Sequence, residues 1–295
     1  MPVYEQTYTH YEGEYRPRSL IWTVIAYRGI VQVFRKKRFR LALFCCLGPF
    51  FAMLARLYLA ANLELLNYFG FNSRDVRDIL DINHTFYYRF LRIQLFPCFI
   101  MTILTGADLI SSDRRTKALT LYLSKPITRL DYLMGKASIS LFFLYLVSLI
   151  PCLALMFFYA FFNENWSYLT QNTQLIYRII LLSNAYILPF TALILAISSM
   201  THSRVTSTVM FCVTFFIPET IVDILRNVID KSWINPDYFT LFSLGKIIEQ
   251  LSPAIFQQKI PYSVHWVWYA SILVSVIAIC GLILYRQIRA VDVVK

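Results

Sequence analysis

The chain has 295 residues and a formal net charge of +11, and it is 58% hydrophobic but only 15% charged. A soluble domain normally carries about 25% charged residues. This deficit excludes a disordered chain, a coiled coil and most soluble enzymes of this size. Because a membrane-crossing helix needs about 20 predominantly apolar residues, the composition favours an all-α integral membrane protein.

Six apolar windows predict six transmembrane helices. The third, fourth and sixth contain no charged residue, whereas the other three contain ionisable residues or are short. Buried helices of a soluble core would not explain three uninterrupted apolar runs of about 25 residues. In chain order the windows are Leu41–Ala61, Phe90–Leu109, Ala137–Asn163, Ile179–Ser203, Val205–Pro218 with an apolar extension to Val222, and Ile260–Tyr285.

The basic residues lie mainly on one side of these spans. Segments 1–40, 111–136, 200–206 and 286–295 together hold 18 Lys and Arg residues, against six in the loops on the other side. Since cytoplasmic loops are enriched in Lys and Arg, both termini are predicted to be cytoplasmic. Topology and contact with anionic lipid headgroups therefore account for the positive charge, and no nucleic-acid partner is expected.

The organisation predicted from these patterns is a single membrane domain over residues 1–295. It comprises a cytoplasmic segment, 1–40, six spans within 41–285 and a cytoplasmic tail, 286–295. The polar, Tyr-rich beginning of the chain does not resemble a signal peptide, so the first span is expected to insert uncleaved. All six Cys residues fall inside predicted spans, which predicts no disulfide framework.

Residues 20–35 have the spacing of an amphipathic helix. We expect this helix to lie along the inner membrane surface with its apolar face among the lipid headgroups. An ordinary cytoplasmic helix is the alternative. The apolar positions are Leu20, Val24, Tyr27, Val31 and Phe34, and the polar stripe is Arg28, Gln32 and Arg35.

The cytoplasmic loop 111–136 has charged residues on both sides of an apolar centre. Pro126 stops any helix that reaches it, and a second short helix is predicted to start after Thr128 and to continue into the third span. Two short helices at the membrane face would form a docking surface for a soluble partner. A solvated loop whose charges only fix the topology is the alternative.

The external segment 230–262 is rich in aromatic and aliphatic residues but is interrupted by Pro236, Gly245, Pro253 and Pro261. It is too short to cross the membrane twice. A re-entrant or surface-lying helical pair is therefore predicted between the fifth and sixth spans. The short fifth window in front of this segment is the main irregularity of the predicted architecture.

The sequence lacks the motifs of nucleotide, metal and hydrolase sites. It contains no GxxxxGK[ST], GxSxG or HExxH pattern. The four His residues are scattered and have no Cys or carboxylate at the spacing of metal ligands. We therefore predict no catalytic residue, no metal site and no cofactor bound by this chain.

The densest polar cluster of the spans consists of Glu219, Asp223 and Arg226, which follow Pro218 at helical spacing on one face. An ion-paired outer end of the fifth span is one interpretation. A polar patch lining a translocation path is the other, because charges within a membrane tend to face a cavity or each other. Arg56 is predicted near the outer end of the first span, where it either snorkels to the surface or pairs with an acid of another span.

The segment from Gly106 to Lys136 resembles the signature region of type-2 ABC exporter permeases. That region has a small-residue span end, an acid-Arg stretch, Gly-Thr-Leu, Leu-Leu-Ser-x-Pro, Ser/Thr-Arg, and a Gly-Lys that opens the third span. Lys117-Ala118 replaces the usual Gly-Thr here, and Asp113 stands where Glu is common. The matching elements are Asp113-Arg114, Leu119, Leu123-Ser124-Lys125-Pro126, Thr128-Arg129 and Gly135-Lys136.

This resemblance implies a permease subunit of an ATP-driven exporter in a bacterial inner membrane. It implies a second permease copy, identical or homologous, and a cytoplasmic ATP-binding subunit that holds the ATP and Mg. The chain itself would carry out no catalysis. The contact with the ATP-binding subunit, through a coupling helix in the loop 111–136, is expected at Asp113, Arg114, Lys117, Leu119, Tyr122, Pro126 and Arg129. The candidate polar residues of the translocation path are Arg56, Glu219, Asp223 and Arg226.

Three other functions are alternatives to this one. A secondary transporter driven by an ion gradient predicts acids in mid-membrane, and the three uncharged spans have none near their centres. A membrane anchor that recruits a cytoplasmic ATPase without transport would use the same docking loop. A membrane enzyme would require a catalytic constellation that the sequence does not contain. The apolar spans suit a lipid, a hydrophobic drug or an amphipathic peptide as the substrate, and the resemblance leaves a polysaccharide or an ion as alternatives.

Overall fold

A computed structural model describes residues 21–62, 83–116, 128–228 and 235–289. These ranges form twelve α-helices and one 3₁₀ helix, and no strand lies within them. The all-α fold class is confirmed. The α-helices are α1 Ile21–Phe34, α2 Lys37–Cys46, α3 Gly48–Ala61, α4 His84–Gly106, α5 Ser111–Arg115, α6 Arg129–Val147, α7 Leu149–Phe162, α8 Ser167–Gln171, α9 Thr173–Met200, α10 Arg204–Val228, α11 Leu244–Phe256 and α12 Trp266–Arg289; the 3₁₀ helix is Pro236–Phe242.

Six helical segments are long and apolar enough to cross a membrane, which confirms the predicted number of spans. The first consists of α2 and α3, the second of α4 and α5, and the third of α6 and α7. Helices α9, α10 and α12 form the fourth, fifth and sixth. The segments run Lys37–Ala61, His84–Arg115, Arg129–Phe162, Thr173–Met200, Arg204–Val228 and Trp266–Gln287.

The fifth span is longer than its apolar window. Helix α10 has 25 residues and continues through Pro218 to Val228. Proline is tolerated inside membrane helices because neighbouring helices and side chains satisfy the freed backbone groups. The apolar window ended early because charged residues follow Pro218, but these residues have partners in the next segment of the chain and the helix continues.

Helix α9 is the centre of the bundle. It packs against α4, α6, α10, α11 and α12, and it is the most buried of the six spans. A helix that is apolar on all sides is expected to be buried in this way. The aromatic ring of Phe190 in α9 packs against the rings of Phe99 in α4 and of Phe211 and Phe215 in α10. The ring centroids in this cluster are 4.9–6.2 Å apart.

The first and third spans are interrupted at positions where a polar side chain reaches the backbone or another helix, as is the second span at residues 107–110. The first span breaks at Leu47, where the amide of Gln94 donates to the carbonyl of Cys46 at 2.8 Å. The third span breaks at Ser148, whose hydroxyl forms a hydrogen bond with that of Tyr186. Since hydrocarbon offers no hydrogen-bond partners, such side chains make a break inside a membrane-length helix tolerable.

The two ends of the bundle are named by the helices that cover them. The α1 end holds α1, α5 and the beginning of α6. The α11 end holds the 3₁₀ helix and α11, which form the helical pair predicted between the fifth and sixth spans. Helix α11 packs against α4, α9, α10 and α12, and the hydroxyl of Ser243 caps its first turn by accepting from the backbone N–H of Lys246.

Helix α1 is the helix predicted over residues 20–35, and it docks directly on α6. A Cβ at Gly29 would overlap Ile139, and a Cβ at Gly135 would lie 2.8 Å from the Cβ of Ile25. Two glycines therefore let the two backbones approach closely. Val24 and Tyr27, which belong to the predicted apolar face, remain exposed on the other side of α1. That face is free to contact lipid headgroups.

The close approach of α1 and α6 predicts that Gly135→Ala destabilises the protein by about 1–3 kcal/mol, because overpacking displaces neighbouring groups. The added Cβ would also lie 3.1 Å from the backbone oxygen of Trp22. The matched control is Gly281→Ala, where nothing lies within 4 Å of the new Cβ. The control is expected to be neutral or stabilising by up to about 1 kcal/mol. Thermal unfolding in detergent measures both, and equal effects would contradict the docking of α1.

Candidate functional site

The loop 111–136 leaves the second span through α5 and enters the third span at the start of α6. Helix α6 begins directly after Thr128, as predicted from the sequence. The hydroxyl of Thr128 accepts from the backbone N–H of Asp131 at 3.1 Å, and the carboxylate of Asp131 accepts from the backbone N–H of Thr128 at 3.2 Å. This reciprocal capping box fixes the helix start.

The central part of this loop, residues 117–127, lies outside the described residues. Four of the seven predicted coupling positions fall there, and they stay predictions. The structure places the other three, Asp113, Arg114 and Arg129, at the two ends of the loop. The four positions outside the described residues are Lys117, Leu119, Tyr122 and Pro126.

A nearly buried ion pair joins α5 to α6. The ammonium group of Lys136 lies 2.8 Å from the carboxylate of Asp113, and the two side chains are only 11% and 15% exposed. The hydroxyl of Tyr132 donates to the same carboxylate oxygen at 2.8 Å. A charge-assisted hydrogen bond of this kind is short and strong, so it holds the two helices in one arrangement.

The junction between α4 and α5 is held by Ser198 near the end of α9. The hydroxyl oxygen of Ser198 accepts from the backbone N–H groups of Ile110 and Ser111 at 3.2 and 3.0 Å. The same hydroxyl donates to the carbonyl of Ala107 at 3.1 Å. The break in the second span leaves three backbone groups without a backbone hydrogen bond inside the helix. Ser198 of the fourth span forms a hydrogen bond with each of them.

Arg114 adds a second contact between α5 and α9, because its guanidinium donates to the carbonyl of Ser199. We call the six residues that join α5 to α6 and α9 the loop anchor. The second, third and fourth spans therefore meet at the root of the loop. The residues of the loop anchor are Asp113, Arg114, Tyr132, Lys136, Ser198 and Ser199.

The charged groups of Asp113 and Arg114 are thus occupied by contacts within the chain. The exposed groups beside them are Arg115, at the end of α5, and Leu130 and Met134 on the first turns of α6. Leu130 and Met134 are 62% and 56% exposed, so apolar surface is available at the root of the loop. The sequence pattern did not single out these three residues.

At the α11 end, the predicted cluster of the fifth span finds its partners in the segment that follows. Asp223 lies 2.9 Å from the ammonium group of Lys246 in α11, and Arg226 lies 3.0 Å from Asp237 in the 3₁₀ helix. The guanidinium of Arg226 also lies over the ring of Tyr262, 4.6 Å from its centroid. These two cluster members are ion-paired across elements.

Glu219 lies against α11 at its closest point of approach, since a Cβ on Gly245 would be 3.0 Å from the Glu219 carboxylate. Glu219 lines a cavity of about 300 Å³ together with Arg92, Lys246 and Glu249. Apolar side chains of α4, α9 and α10 form the rest of its wall. The structure therefore supplies the cavity that the second interpretation of the cluster requires.

Two charged groups outside the spans have shifted pKa values. Burial raises the pKa of Asp237, but hydrogen bonds from the backbone N–H and hydroxyl of Ser263, at 2.9 and 2.8 Å, and the charge of Arg226 outweigh it and hold that pKa below its usual value. Burial lowers the pKa of Lys246, but its bond to Asp223 and the neighbouring acids outweigh it and raise that pKa. Both groups are therefore charged at neutral pH.

Arg56 is positioned apart from this cluster. It lies half-buried in α3 with its guanidinium over the ring of Phe86 in α4, 5.3 Å from the ring centroid. Phe86 is in the first turn of α4, so Arg56 lies at the α11 end of the first span. A cation above an aromatic face is a stable arrangement for an arginine close to the membrane surface.

The structure so far is a multi-pass membrane protein with an amphipathic helix and an anchored loop at the same end of the bundle. A family model described as "ABC-2 family transporter protein" matches residues 20–286. The chain belongs to the ABC-2 transporter family. The resemblance found in residues 106–136 is thereby confirmed over nine-tenths of the sequence. The comparison with curated proteins found no match.

Membership of the ABC-2 family makes this chain a transmembrane component of an ABC transporter. Such components are normally non-catalytic, and the family in general works with an ATP-binding subunit. Among the described residues, no group of three or more His, Cys, Asp or Glu side chains is arranged to hold a metal ion.

Several residues that build these sites were not among the predicted site residues, although Lys136 belongs to the matched Gly135-Lys136 element. Lys136 carried a signal, because it is the charge that immediately precedes an uncharged window of the length of a span. Ser198 and Lys246 carried none, since a serine near a span end and a lysine in an external loop are both common. Their partners are far away in the sequence, 87 residues in the case of Ser198 and Ser111.

The buried ion pair of the loop anchor predicts that Asp113→Asn destabilises the protein by about 3–5 kcal/mol, because Lys136 is left as an uncompensated buried charge. The double variant Asp113→Asn with Lys136→Met should recover part of that loss. Arg115→Gln, which removes an exposed charge from the same short helix, is the control and should change stability by less than about 0.5 kcal/mol. Thermal unfolding in detergent ranks the three variants by stability. A double variant that is no more stable than Asp113→Asn would contradict the Asp113–Lys136 ion pair.

The lowered pKa of Asp237 predicts a specific pH dependence. A carboxyl whose folded pKa lies below its unfolded value stabilises the protein above the unfolded value of about 3.8, and this stabilisation is lost as the pH falls through the folded pKa. The difference in melting temperature between the wild type and Asp237→Asn should therefore be constant near neutral pH and shrink below about pH 3.8. A difference that stays constant into strong acid would show that the Asp237 carboxylate is not held by Ser263 and Arg226.

Proposed function

We propose that this chain is the permease subunit of an ATP-driven exporter whose ATP is hydrolysed, with Mg, in a separate cytoplasmic ATP-binding subunit. The loop anchor is the observation that carries the proposal beyond family membership. A permease without its own nucleotide site needs a contact through which movements of a soluble ATP-binding partner are transmitted to its spans. The anchored loop supplies such a place.

The loop anchor explains how a force on the loop would reach the spans. The pair Asp113–Lys136 ties α5 to the third span, and Ser198 and Ser199 tie it to the fourth. Helix α5 itself continues the second span. Closure of an ATP-bound subunit against the loop would therefore displace three spans together, which is a physical route for coupling between distant sites.

The contact surface that we propose combines the predicted loop residues with exposed groups at its root. Lys117, Leu119, Tyr122 and Pro126 remain proposed contacts, together with Arg129 at the start of α6. Asp113 and Arg114 are positioning residues in this scheme, because their charged groups are bound within the chain. The exposed neighbours Arg115, Leu130 and Met134 extend the surface.

The orientation follows from the distribution of basic residues. We place the α1 end, both termini and the loop anchor in the cytoplasm of a bacterial cell, with the six spans in the inner membrane. A second copy of this chain, or a homologous permease, would complete the transporter. The first and fifth spans are the least buried within the chain together with the sixth, so they have free surface for a second copy.

The polar cavity at the α11 end is the proposed outer part of the translocation path. Glu219 lines it, and Asp223 and Arg226 lie beside it on the same helix. Arg56 belongs to the same end of the bundle. A transported group would leave by exchanging contacts with these charges, which are otherwise paired with α11 and the 3₁₀ helix.

The experiment that tests the proposal is co-purification of the tagged chain from its native membrane in mild detergent, with ATPase activity measured on the eluate. We expect an ATP-binding subunit to co-purify. The double variant Arg115→Glu with Arg129→Glu should retain at least about tenfold less of it, because two charge reversals at a contact oppose association. Arg89→Glu, a charge reversal at an exposed arginine of the α11 end, is the control and should retain the subunit.

Two results would contradict the proposal. One is equal retention of the subunit by Arg115→Glu with Arg129→Glu and by the control. The other is a chain that purifies alone and transports in liposomes under an ion gradient. A complex with ATPase activity but no transport in liposomes would assign the chain to the class of membrane anchors that recruit an ATPase.

A further inference from the structure

A cavity at the α1 end lies beside the loop anchor, and two residues of the anchor, Asp113 and Lys136, form part of its wall. It has a volume of about 550 Å³ and is open on one side. Its walls come from α1, the junction of α4 and α5, the beginning of α6 and the first residue of α10. Four parts of the chain that are distant in sequence therefore converge on one space large enough for a small ligand.

The cavity has an excess of positive charge. Four basic side chains and two carboxylates line it, and one of each, Lys136 and Asp113, neutralise each other at 2.8 Å. Three basic groups therefore face a single carboxylate across the remaining space. The hydrogen-bond donors of Gln32 and Ser112 add to them. The three basic residues are Arg28, Lys36 and Arg204, and the carboxylate is Asp108.

The rest of the wall is apolar. Ile21, Val24 and Ile25 of α1 face Leu104 and Leu109 from the end of the second span, and Val33 and Ile139 complete this side. Val24 is also exposed on the outer surface of α1, next to the exposed ring of Tyr27. A continuous apolar track therefore leads from the charged interior of the cavity to the face of α1 that is available to the membrane.

We propose that this cavity binds the phosphodiester headgroup of an anionic membrane lipid, with an acyl chain along the exposed face of α1. The basic groups match a phosphate, and basic pockets between membrane helices on the cytoplasmic side are suited to anionic headgroups. A free phosphate would use the charges but not the apolar track. The bound headgroup would contact Arg28 of α1 and Arg204 of α10, and would hold these two helices together next to the loop anchor.

The proposal does not depend on ATP-driven export, but it rests on the proposed orientation, which places this cavity on the cytoplasmic side of the membrane. Native mass spectrometry of the purified chain in detergent, titrated with dioleoyl-phosphatidylglycerol or dioleoyl-phosphatidylcholine, measures how tightly each lipid is retained. We expect the anionic lipid to bind at least about tenfold more tightly than the zwitterionic one. Inorganic phosphate, added as a competitor, should leave the retained anionic lipid unchanged at concentrations equal to that of the lipid.

Charge variants of opposite sign locate the binding. Arg28→Gln with Arg204→Gln should weaken retention of the anionic lipid about 25-fold, since each basic group near an anionic lipid contributes about fivefold. Asp108→Asn should strengthen it severalfold because it removes the opposing carboxylate. Arg38→Gln, an exposed arginine of α2 that does not line the cavity, is the matched control and should change retention less than twofold.

Three outcomes would overturn the proposal. Equal retention of the two lipids would show that the cavity does not select an anionic headgroup. Displacement of the lipid by equimolar inorganic phosphate would show a free-anion site. An equal loss in Arg38→Gln and in the cavity variant, or no gain in Asp108→Asn, would show attraction to the general surface charge. Melting temperatures of all variants without added lipid confirm that each is folded.

Discussion

A helix inside a membrane has to satisfy every backbone hydrogen-bonding group within the protein, and this constraint shapes the α1 end. The second span breaks between Ala107 and Ser111, which frees backbone groups that water cannot reach. Ser198 of the fourth span accepts from two of them and donates to a third. These contacts require the fourth span to be close to the break, and the chain beyond the break forms the short helix α5.

The hydrogen bonds of Ser198 at this break link the loop to the core of the bundle. Helix α9, which carries Ser198, is the most buried span and packs against helices of the second, third, fifth and sixth spans. The pair Asp113–Lys136 then ties the same short helix to α6, and the glycine contact at Gly135 ties α6 to α1. The root of the loop, the amphipathic helix and the central span therefore form one mechanical unit at this end. At the α11 end, α11 packs its buried apolar side chains against the spans, and ion pairs such as Asp223–Lys246 add contacts between the elements.

The sequence was sufficient to predict features that depend on local pattern. The six spans, α1 and the start of α6 after Thr128 follow from runs of apolar residues, helical spacing and capping chemistry, each of which lies within a few neighbouring residues. The apolar window of the fifth span ends before the helix does, because charged residues follow Pro218. Their partners, Lys246 and Asp237, are supplied by a segment that folds back onto the helix.

The candidate sites depend on pairings that no local pattern contains. Asp113 and Arg114 look like exposed coupling residues in the sequence, because charges in a cytoplasmic loop are normally solvated. Their contacts with Lys136 and Ser199 are formed only when the third and fourth spans pack together. Arg28 and Arg204 likewise line the same cavity only after α1 has docked on α6 beside α10. The residue types were visible in the sequence, but their placement required the fold.

The most direct test of the central claim, that α5 and the fourth span move as one unit, is a distance measurement in the complex with its ATP-binding subunit. Spin labels at Arg115→Cys and Met200→Cys, in a background without other reactive cysteines, report on the two sides of the loop anchor by dipolar electron paramagnetic resonance. The account predicts the same separation between the two labels with and without ATP, while the separation between Met200 labels in the two permease copies changes. A change between positions 115 and 200 upon ATP binding, with the Met200 labels of the two copies remaining fixed, would contradict it.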